Sequence, residues 1–359
     1  MEDTKKLVAQ LVSISGLSGH EIKIREHLTR LWEPLTDEIQ TSKLGSLHAL
    51  IKGDGVTPRK RILIATHMDA IGMMVTAIED GLLRLTKIGG IDNRTLPGLP
   101  VNVHTQSGDL PGVVILPPAH TLPDEQDSKK TIELQYLLVD TGLSATEVSR
   151  KVNLGDLVTF NVEPLDLGDG YLSAPYMDNR SSVAILTQIL QILQTRNHQW
   201  DVWAVATAQE EIDLQGAITS GYALRPTIAV VVDVTFANGP GTPSHESFDM
   251  DEGPTFDIGP STHPKLYQAF IDFAEKREIS FHRGVHSRSS GTDADGIQLA
   301  AEGIPTMLIG LPLRYMHTPV EMIQVRDIQR TAHLIAEFIE QLDDKFMDTL
   351  SWDEESELI

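Results

Sequence analysis

Histidine and carboxylate side chains follow short apolar runs of this sequence, at the points where the runs end. They are His67 and Asp69, Asp178, Glu210 and Glu211, Asp233, and His317. Imidazole and carboxylate groups are common ligands of divalent cations in proteins. Two histidines with three or more carboxylates form the oxygen-rich set expected of a hydrolytic site with two metal ions. The first chemistry that these residues suggest is therefore metal-assisted hydrolysis.

The adjacent Glu210 and Glu211 can have different roles, because one can bind metal while the other takes a proton from water. Each candidate also has an ordinary explanation. A pair of glutamates is usually a solvated loop, Asp178 could be a helix N-cap, and Asp233 could be a turn residue. Their joint occurrence at successive strand ends favours a site.

The apolar runs are rich in β-branched residues and alternate with amphipathic helical patterns. The runs cover residues 62–65, 202–207, 228–234 and 305–309, and the helical patterns cover 181–195 and 328–342. This alternation predicts an α/β fold with a mostly parallel sheet flanked by helices. Ligands of an open parallel sheet bind outside the carboxyl ends of its strands, which is where the candidate residues stand.

The character of the chain changes between residues 72 and 167, where short strand-like pieces are broken by Gly, Pro and Asp turns. This pattern predicts a small β-rich domain, PDZ-like or a β-barrel, inserted into the α/β domain. The predicted division is a catalytic domain of residues 1–71 and 168–359 with an insert of residues 72–167. Within the insert, residues 117–131 are expected to form an exposed loop.

The composition restricts cofactors and partners. The chain has no cysteine, which excludes disulfides, zinc-thiolate sites and thiol catalysis, so a bound metal must use His, Asp and Glu. Its formal charge of -22 repels nucleic acid and anionic membranes. The N-terminal residues lack the pattern of a secretory signal, and no apolar run approaches the roughly 20 residues of a membrane span. We therefore expect a cytoplasmic protein that binds neither nucleic acid nor membrane.

Seven motifs in a fixed order resemble those of one family over nearly the whole chain. They are SGLSGHE at 15–21, THMDAIG at 66–72, MDNR at 177–180, QEE at 209–211, DVT at 233–235, GTDA at 291–294 and HTPVE at 317–321. With them the chain resembles the tetrahedral (TET) aminopeptidases of metallopeptidase family 42, which includes glutamyl and deblocking aminopeptidases. The resemblance implies a zinc-exopeptidase-like fold and the removal of single residues from peptide N-termini.

The resemblance also implies a set of metal ligands. His67, Asp178 and Asp233 would bind one divalent ion. Asp178, Glu211 and His317 would bind a second ion, with Asp178 bridging the two. The implied cofactors are thus two divalent ions per chain, zinc or cobalt.

Further roles follow from the same resemblance. Glu210 would be the general base, and Asp69 would accept the second ring N–H of His67 and so fix its orientation. Thr292 and Asp293 are expected to line the substrate pocket, although an ordinary Gly-Thr-Asp turn explains them nearly as well. The insert would act as an oligomerisation domain in a homododecamer, the alternative being a lid on a monomer.

Three positions depart from the family pattern. Ala70 stands where a Glu is usual, Asn179 where an Asp is usual, and Asp213 where a Gly is common. None of these changes removes a predicted ligand. Each changes the charge or the shape next to one, so metal retention and activity are expected to be sensitive to them.

The sequence thus predicts a dinuclear-metal aminopeptidase that hydrolyses the N-terminal peptide bond of peptides, with metal-activated water and Glu210 as the base. Two alternatives stay open. A related two-metal amidohydrolase, such as a carboxypeptidase or a deacylase, would use much the same ligands. A catalytically inactive scaffold of the same fold would bind peptides without hydrolysing them.

Overall fold

The computed structural model of the chain describes residues 1–118 and 131–351. Its helices are α1 (Glu2–Val12), α2 (Ile22–Trp32), α3 (Ala145–Lys151), α4 (Met177–Leu193), α5 (Glu210–Asp213), α6 (Gln215–Leu224), α7 (Pro264–Lys276), α8 (Asp293–Gln298) and α9 (Val325–Glu340). Its strands are β1 (Glu38–Thr41), β2 (Leu47–Ile51), β3 (Arg61–His67), β4 (Gly72–Glu79), β5 (Leu82–Ile88), β6 (Pro100–Thr105), β7 (Gly108–Ile115), β8 (Leu138–Asp140), β9 (Leu157–Phe160), β10 (Leu165–Gly168), β11 (Tyr171–Ala174), β12 (Asp201–Thr207), β13 (Ile228–Phe236), β14 (Thr255–Ile258), β15 (His282–Val285), β16 (Thr306–Arg314) and β17 (Glu321–Gln324). These strands form one large sheet and one closed barrel.

The large sheet has a parallel centre. Strands β12, β3, β13 and β16 lie side by side in that order and run parallel. Antiparallel strands extend both edges, with β2 and β1 beyond β12 and with β17, β11 and β10 beyond β16. The pair β14 and β15 attaches to β16 as well. The four runs predicted as strands are the four parallel ones, and the predicted α/β fold is confirmed.

Helices cover both faces of this sheet. Along β13, Val230 and Val232 join the core formed with α1, α2, α4, α7 and α9, whereas Ala229 and Val231 join the core formed with α6 and α8. Alternate residues of a strand point to opposite faces, so one apolar run serves both cores. The predicted face of α9 is buried as well, including Ile328, Ile335 and Ile339.

The β-rich insert is a closed antiparallel barrel with the strand order β4-β5-β8-β7-β6-β9. Its interior is filled by inward residues such as Val75, Val101, Val139 and Val158. The predicted β-rich insert is thus confirmed as a barrel. Of the loop expected at 117–131, residues 119–130 lie outside the described residues. No helix within the described ranges is long and apolar enough to cross a membrane.

Gly216 marks the place where α6 packs most closely against the end of β12. A Cβ atom there would lie 2.3 Å from Ala208 O and 2.6 Å from Ala208 N. The main-chain N–H of Gly216 also donates a hydrogen bond of 3.0 Å to Ala208 O. The close approach fixes α6 beside the segment that leads into Glu210 and Glu211.

We expect Gly216→Ala to lower the free energy of unfolding by about 1–3 kcal/mol, because the added methyl group overlaps backbone that cannot move aside. Helix propensity alone predicts the opposite sign, a gain of about 1 kcal/mol for Ala in a helix. Urea unfolding measures the difference. Gly239→Ala is the matched control, since its Cβ would meet nothing closer than 3.6 Å. A stabilised Gly216→Ala protein would contradict the packing described.

Candidate metal centre and active site

The candidate residues come together at the carboxyl edge of the large sheet. They are His67 at the end of β3, Asp178 at the start of α4, Glu210 and Glu211 in α5 just after β12, Asp233 in β13, and His317 just after β16. Sharp chain turns position Asp178, the two glutamates and His317. Tyr176, Gln209 and His317 have left-handed conformations there, with φ of 67°, 61° and 62°. Such strained non-glycine residues concentrate at functional sites.

Asp178 lies between the two imidazole rings. Its Oδ1 atom is 3.1 Å from His67 Nε2, and its Oδ2 atom is 3.3 Å from His317 Nε2. The side chain is mostly buried. A carboxylate that presents one oxygen to each imidazole has the geometry of a ligand shared by two cations.

The remaining carboxylates surround the same two rings. His67 Nε2 lies 3.7 Å from Asp233 Oδ1 and 3.8 Å from Glu210 Oε2, and His317 Nε2 lies 3.5 Å from Glu211 Oε2. Two groups have ligand atoms within 4.8 Å of one another: His67, Asp178 and Glu211, and His67, Glu210 and Asp233. All the predicted ligands therefore lie in contact, and Glu210 is close enough to be a ligand as well as a base.

The carboxylate of Asp69 ties β3 to the segment that carries the two glutamates. It accepts hydrogen bonds from Ser18 Oγ (2.5 Å) and from the main-chain N–H groups of Glu210 (3.0 Å) and Glu211 (3.2 Å). His67 Nδ1 lies 3.2 Å from the main-chain oxygen of Asp69 but 3.6 Å from its carboxylate. The contact expected between the ring and the carboxylate is too long for a hydrogen bond. The carboxylate is directed at its three other donors instead.

Glu321 is a contributor to which the sequence motif assigned no role. Its Oε2 atom accepts from the main-chain N–H of Asp178 (3.1 Å), and its Oε1 atom accepts from the main-chain N–H of His317 (2.7 Å). The side chain is buried at the start of β17. One glutamate thus fixes the backbone of two candidate ligands. Its position four residues after His317 was the available signal, but only the structure shows the contact with Asp178.

Of the three residues that depart from the family pattern, Asn179 has the clearest structural consequence. Its Nδ2 group donates to Asp233 Oδ1 (2.8 Å) and to Val232 O (3.1 Å). An ionised Asp would present only acceptors to these two oxygens, whereas the amide orients Asp233. Ala70 is buried against the barrel core, and Asp213 is exposed at the rim of the site cavity.

Burial and mutual repulsion govern the electrostatics of the cluster. Burial raises the pKa of Glu210 to about 10 and that of Asp233 to about 8, although the nearby His67 opposes both shifts. Burial and the charge of Asp178 also raise the pKa of Glu211. Asp178 is the exception, because hydrogen bonds from both histidines outweigh burial and lower its pKa. Without added positive charge, several of these carboxyl groups must hold protons.

Divalent cations fit this environment. A cation can replace the protons that repulsion would otherwise hold on the carboxyl groups. Glu211 Oε1 is buried and has no hydrogen-bond partner among the residues that the structure describes, so it is free to accept a cation. The donors are imidazole nitrogens and carboxylate oxygens, which suit zinc and related ions.

A cavity of about 470 Å³ opens onto the cluster. Its wall includes Thr292, as expected from the sequence, together with Phe236 and Met316. Asp293, expected beside Thr292, does not line the cavity. It is fully buried as the first residue of α8 and accepts a hydrogen bond from Thr207 Oγ1. Its side chain points into the protein, because Thr292 is the N-cap residue and the chain turns into α8 there.

A cluster of imidazoles and carboxylates at the carboxyl edge of an α/β sheet, open to a cavity, is typical of metal-dependent hydrolases. The family model described as "M42 glutamyl aminopeptidase" matches residues 45–334. The chain belongs to this family. It is therefore an aminopeptidase, a hydrolase that acts on peptide bonds, and the family resemblance seen in the sequence is confirmed.

Similar proteins support this assignment over almost the whole length. A lysyl aminopeptidase of Pyrococcus furiosus is 32% identical over 94% of this chain and 97% of its own. The solved TET aminopeptidase from the marine sediment archaeon Thaumarchaeota archaeon SCGC AB-539-E09 is 28% identical, with a TM-score of 0.91 over 98% of this chain and 99% of that one. The TET1 peptidase of Pyrococcus horikoshii, which can assemble into a tetrahedron or a large octahedral shell, is 29% identical, with a TM-score of 0.83 over 94% of this chain and 100% of its own.

Proposed function

We propose that the protein is a dinuclear-metal aminopeptidase that removes the N-terminal residue of peptides. The contact of Asp178 with both His67 and His317 is the observation that carries this proposal. His67, Asp178 and Asp233 would hold one ion, and Asp178, Glu211 and His317 would hold the other. Zinc and cobalt both suit these donors.

When bound, the two cations would polarise the scissile carbonyl and acidify the attacking water. The protein's own residues supply the remaining steps. Glu210 takes a proton from the attacking water on a carboxylate oxygen and delivers it to the nitrogen of the leaving amine. Asp69 keeps Glu210 in place through the main-chain N–H of that residue.

Selection for a free N-terminus follows from charge. With both ions bound, Glu210 and Asp213 would be the lining carboxylates that hold no metal, and they attract the positive α-amino group of a peptide and disfavour a neutral blocked end. A carboxypeptidase would instead need a cationic group for the substrate carboxylate. Arginine and lysine do not line the cavity as far as the structure describes it.

We expect the zinc- or cobalt-loaded protein to hydrolyse free peptides at least about a hundredfold faster than their N-acetyl forms, because a site that pairs with an amine rejects a substrate without one. Aminoacyl chromogenic substrates and short peptides, free and acetylated, provide the comparison. Equal rates on acetylated substrates would identify a deacylase, and release of C-terminal residues would identify a carboxypeptidase. A protein that takes up no metal, binds peptides and hydrolyses none of them would be a scaffold.

We expect Glu210→Gln to lower kcat by at least about a hundredfold while the metal content stays unchanged, because the amide cannot take the proton. Elemental analysis measures the metal content and steady-state kinetics measures kcat, both on the same preparation. Glu302→Gln is the matched control, since Glu302 is exposed and pairs with Arg225 at the surface. Loss of metal together with activity would make Glu210 a ligand, and full activity would remove it from the mechanism.

We infer that residues 72–167 form an oligomerisation domain and that residues 1–71 and 168–359 form the catalytic domain. The proposed ligands all lie outside the insert, which interrupts the chain just after His67 and Asp69. A segment so placed can cover the site or hold neighbouring chains, and a closed symmetric assembly does both. The tetrahedron or octahedral shell of the Pyrococcus horikoshii relative supports this proposal, and the dodecamer in the similar PhTET1-12s structure makes twelve the expected number of chains.

We expect light scattering on the purified protein to give a mass near twelve times the 39.5 kDa of one chain. A second protein, in which a short linker replaces residues 72–167, is expected to give a much smaller mass. Removal of the barrel also removes packing contacts of Ile71 and Tyr176, which remain in the shortened protein. Circular dichroism therefore checks that the shortened protein still folds. A monomeric natural protein would favour a lid instead, and a large particle without the insert would place the contacts elsewhere.

A further inference from the structure

A second cavity, of about 250 Å³, adjoins the one that opens onto the candidate metal centre. The two cavities share Val234, Thr235, Ser290 and Thr292 as lining residues. Val234 and Thr235 directly follow the proposed ligand Asp233 in β13. The second cavity therefore lies directly beside the place where a substrate at the metal centre would be held.

The wall shared by the two cavities is firmly held. Asp295 in α8 accepts hydrogen bonds from the main-chain N–H groups of Ser290 (3.1 Å) and Gly291 (2.9 Å) and from Ser290 Oγ (3.0 Å). Ser290 Oγ also lies 2.8 Å from Thr292 Oγ1. The residues shared by the two cavities are thus held in place, as the wall of a specificity pocket requires.

Asp257 in β14 supplies a carboxylate to this cavity and is partly exposed there. Its Oδ2 atom accepts from Thr255 Oγ1 (3.0 Å). Its Oδ1 atom occupies the space that a side chain at position 284 would fill, since a Cβ on Gly284 would lie only 1.6 Å away. The same imaginary Cβ lies 3.4 Å from Phe248, so an aromatic ring stands beside the carboxylate.

No lysine, arginine or histidine forms an ion pair with Asp257 in the part of the chain that the structure describes. Arg283 lines the cavity, but its guanidinium group pairs with Glu275 (3.0 Å) and lies over the ring of Phe281. His286 also lines it and has its Nε2 atom 3.1 Å from Ser261 Oγ. Burial raises the pKa of Asp257, although Thr255 and His286 partly oppose this shift. A cationic ligand would favour the ionised carboxylate.

The position of Asp257 suits the end of a long side chain. Asp233, Gly310 and Thr255 lie in one row across β13, β16 and β14, and Asp257 is two residues further along β14. Strands lie about 4.8 Å apart and rise about 3.4 Å per residue. The Cα atoms of Asp233 and Asp257 are therefore about 12 Å apart by this geometry. The apolar walls between them include Val234 and Leu308.

We propose that the second cavity receives the side chain of the substrate's N-terminal residue and that Asp257 selects a basic one, lysine or arginine. The apolar lining residues Val234, Phe248 and Leu308 together with the carboxylate of Asp257 match an aliphatic stem that ends in a cation. The inference rests on the proposed aminopeptidase function and adds the class of substrate to it. Asp257 takes no part in the hydrolysis and acts only on substrate preference.

The test compares kcat/KM for lysyl, arginyl and norleucyl p-nitroanilides, because norleucine has the butyl chain of lysine without its ammonium group. The natural protein should favour lysyl over norleucyl substrate by at least about tenfold. Asp257→Asn should reduce this ratio by at least about tenfold, since a buried ammonium then loses its counter-charge. Asp272→Asn is the matched control, because Asp272 is an exposed carboxylate of α7 and should leave the ratio unchanged.

Each outcome decides the proposal. A natural protein that hydrolyses norleucyl substrate as well as lysyl substrate contradicts the selection by Asp257 and leaves the aminopeptidase function intact. A lysyl preference that persists in Asp257→Asn assigns the selection to another residue. A metal-loaded protein that hydrolyses other free aminoacyl substrates but none of these three overturns this inference alone, whereas one that hydrolyses no free aminoacyl substrate or peptide overturns the proposed function as well. The first comparison needs no variant, so a poorly folding Asp257→Asn protein cannot rescue the proposal.

Discussion

Mutual repulsion among buried carboxylates is the constraint on which this structure depends. Asp178, Glu210, Glu211 and Asp233 lie around two imidazole rings, and each of these carboxylate side chains is mostly buried. Bringing such groups together is unfavourable unless protons or cations neutralise them. The fold nevertheless holds them in contact, because each is attached to the end of a buried strand or the start of a packed helix. The stability of the sheet thus maintains an arrangement that the isolated side chains would not adopt.

Hydrogen bonds from uncharged groups complete this arrangement. Asp69 and Glu321 each accept main-chain N–H groups of the candidate residues, and the amide of Asn179 orients Asp233. These contacts fix the backbone as well as the side chains, so the ligand positions are set before any cation arrives. Such preorganisation is what metal sites require of the residues behind their ligands. The close packing of Gly216 on the end of β12 serves the same purpose at a distance.

The sequence predicted the four parallel strands and the β-rich insert because apolar periodicity and turn residues are local signals. It also indicated the candidate ligands, since strand ends and family motifs can be recognised without coordinates. Contacts between distant segments could not be predicted in this way. The sequence offered no means to see that Glu321 spans Asp178 and His317, that Asp293 turns inward to Thr207, or that Asp257 reaches a cavity beside the metal centre. These depend on how strands far apart in the chain are ordered and aligned.

The proposed dinuclear centre requires one buried cluster to hold two cations that share Asp178. Anomalous X-ray diffraction from crystals of the zinc-loaded protein tests this claim most directly, because it locates each ion independently of activity. We expect two peaks per chain, each about 2.0–2.2 Å from its ligand atoms. One should contact His67, Asp178 and Asp233, and the other should contact Asp178, Glu211 and His317. A single peak, or peaks that do not contact Asp178, would contradict it.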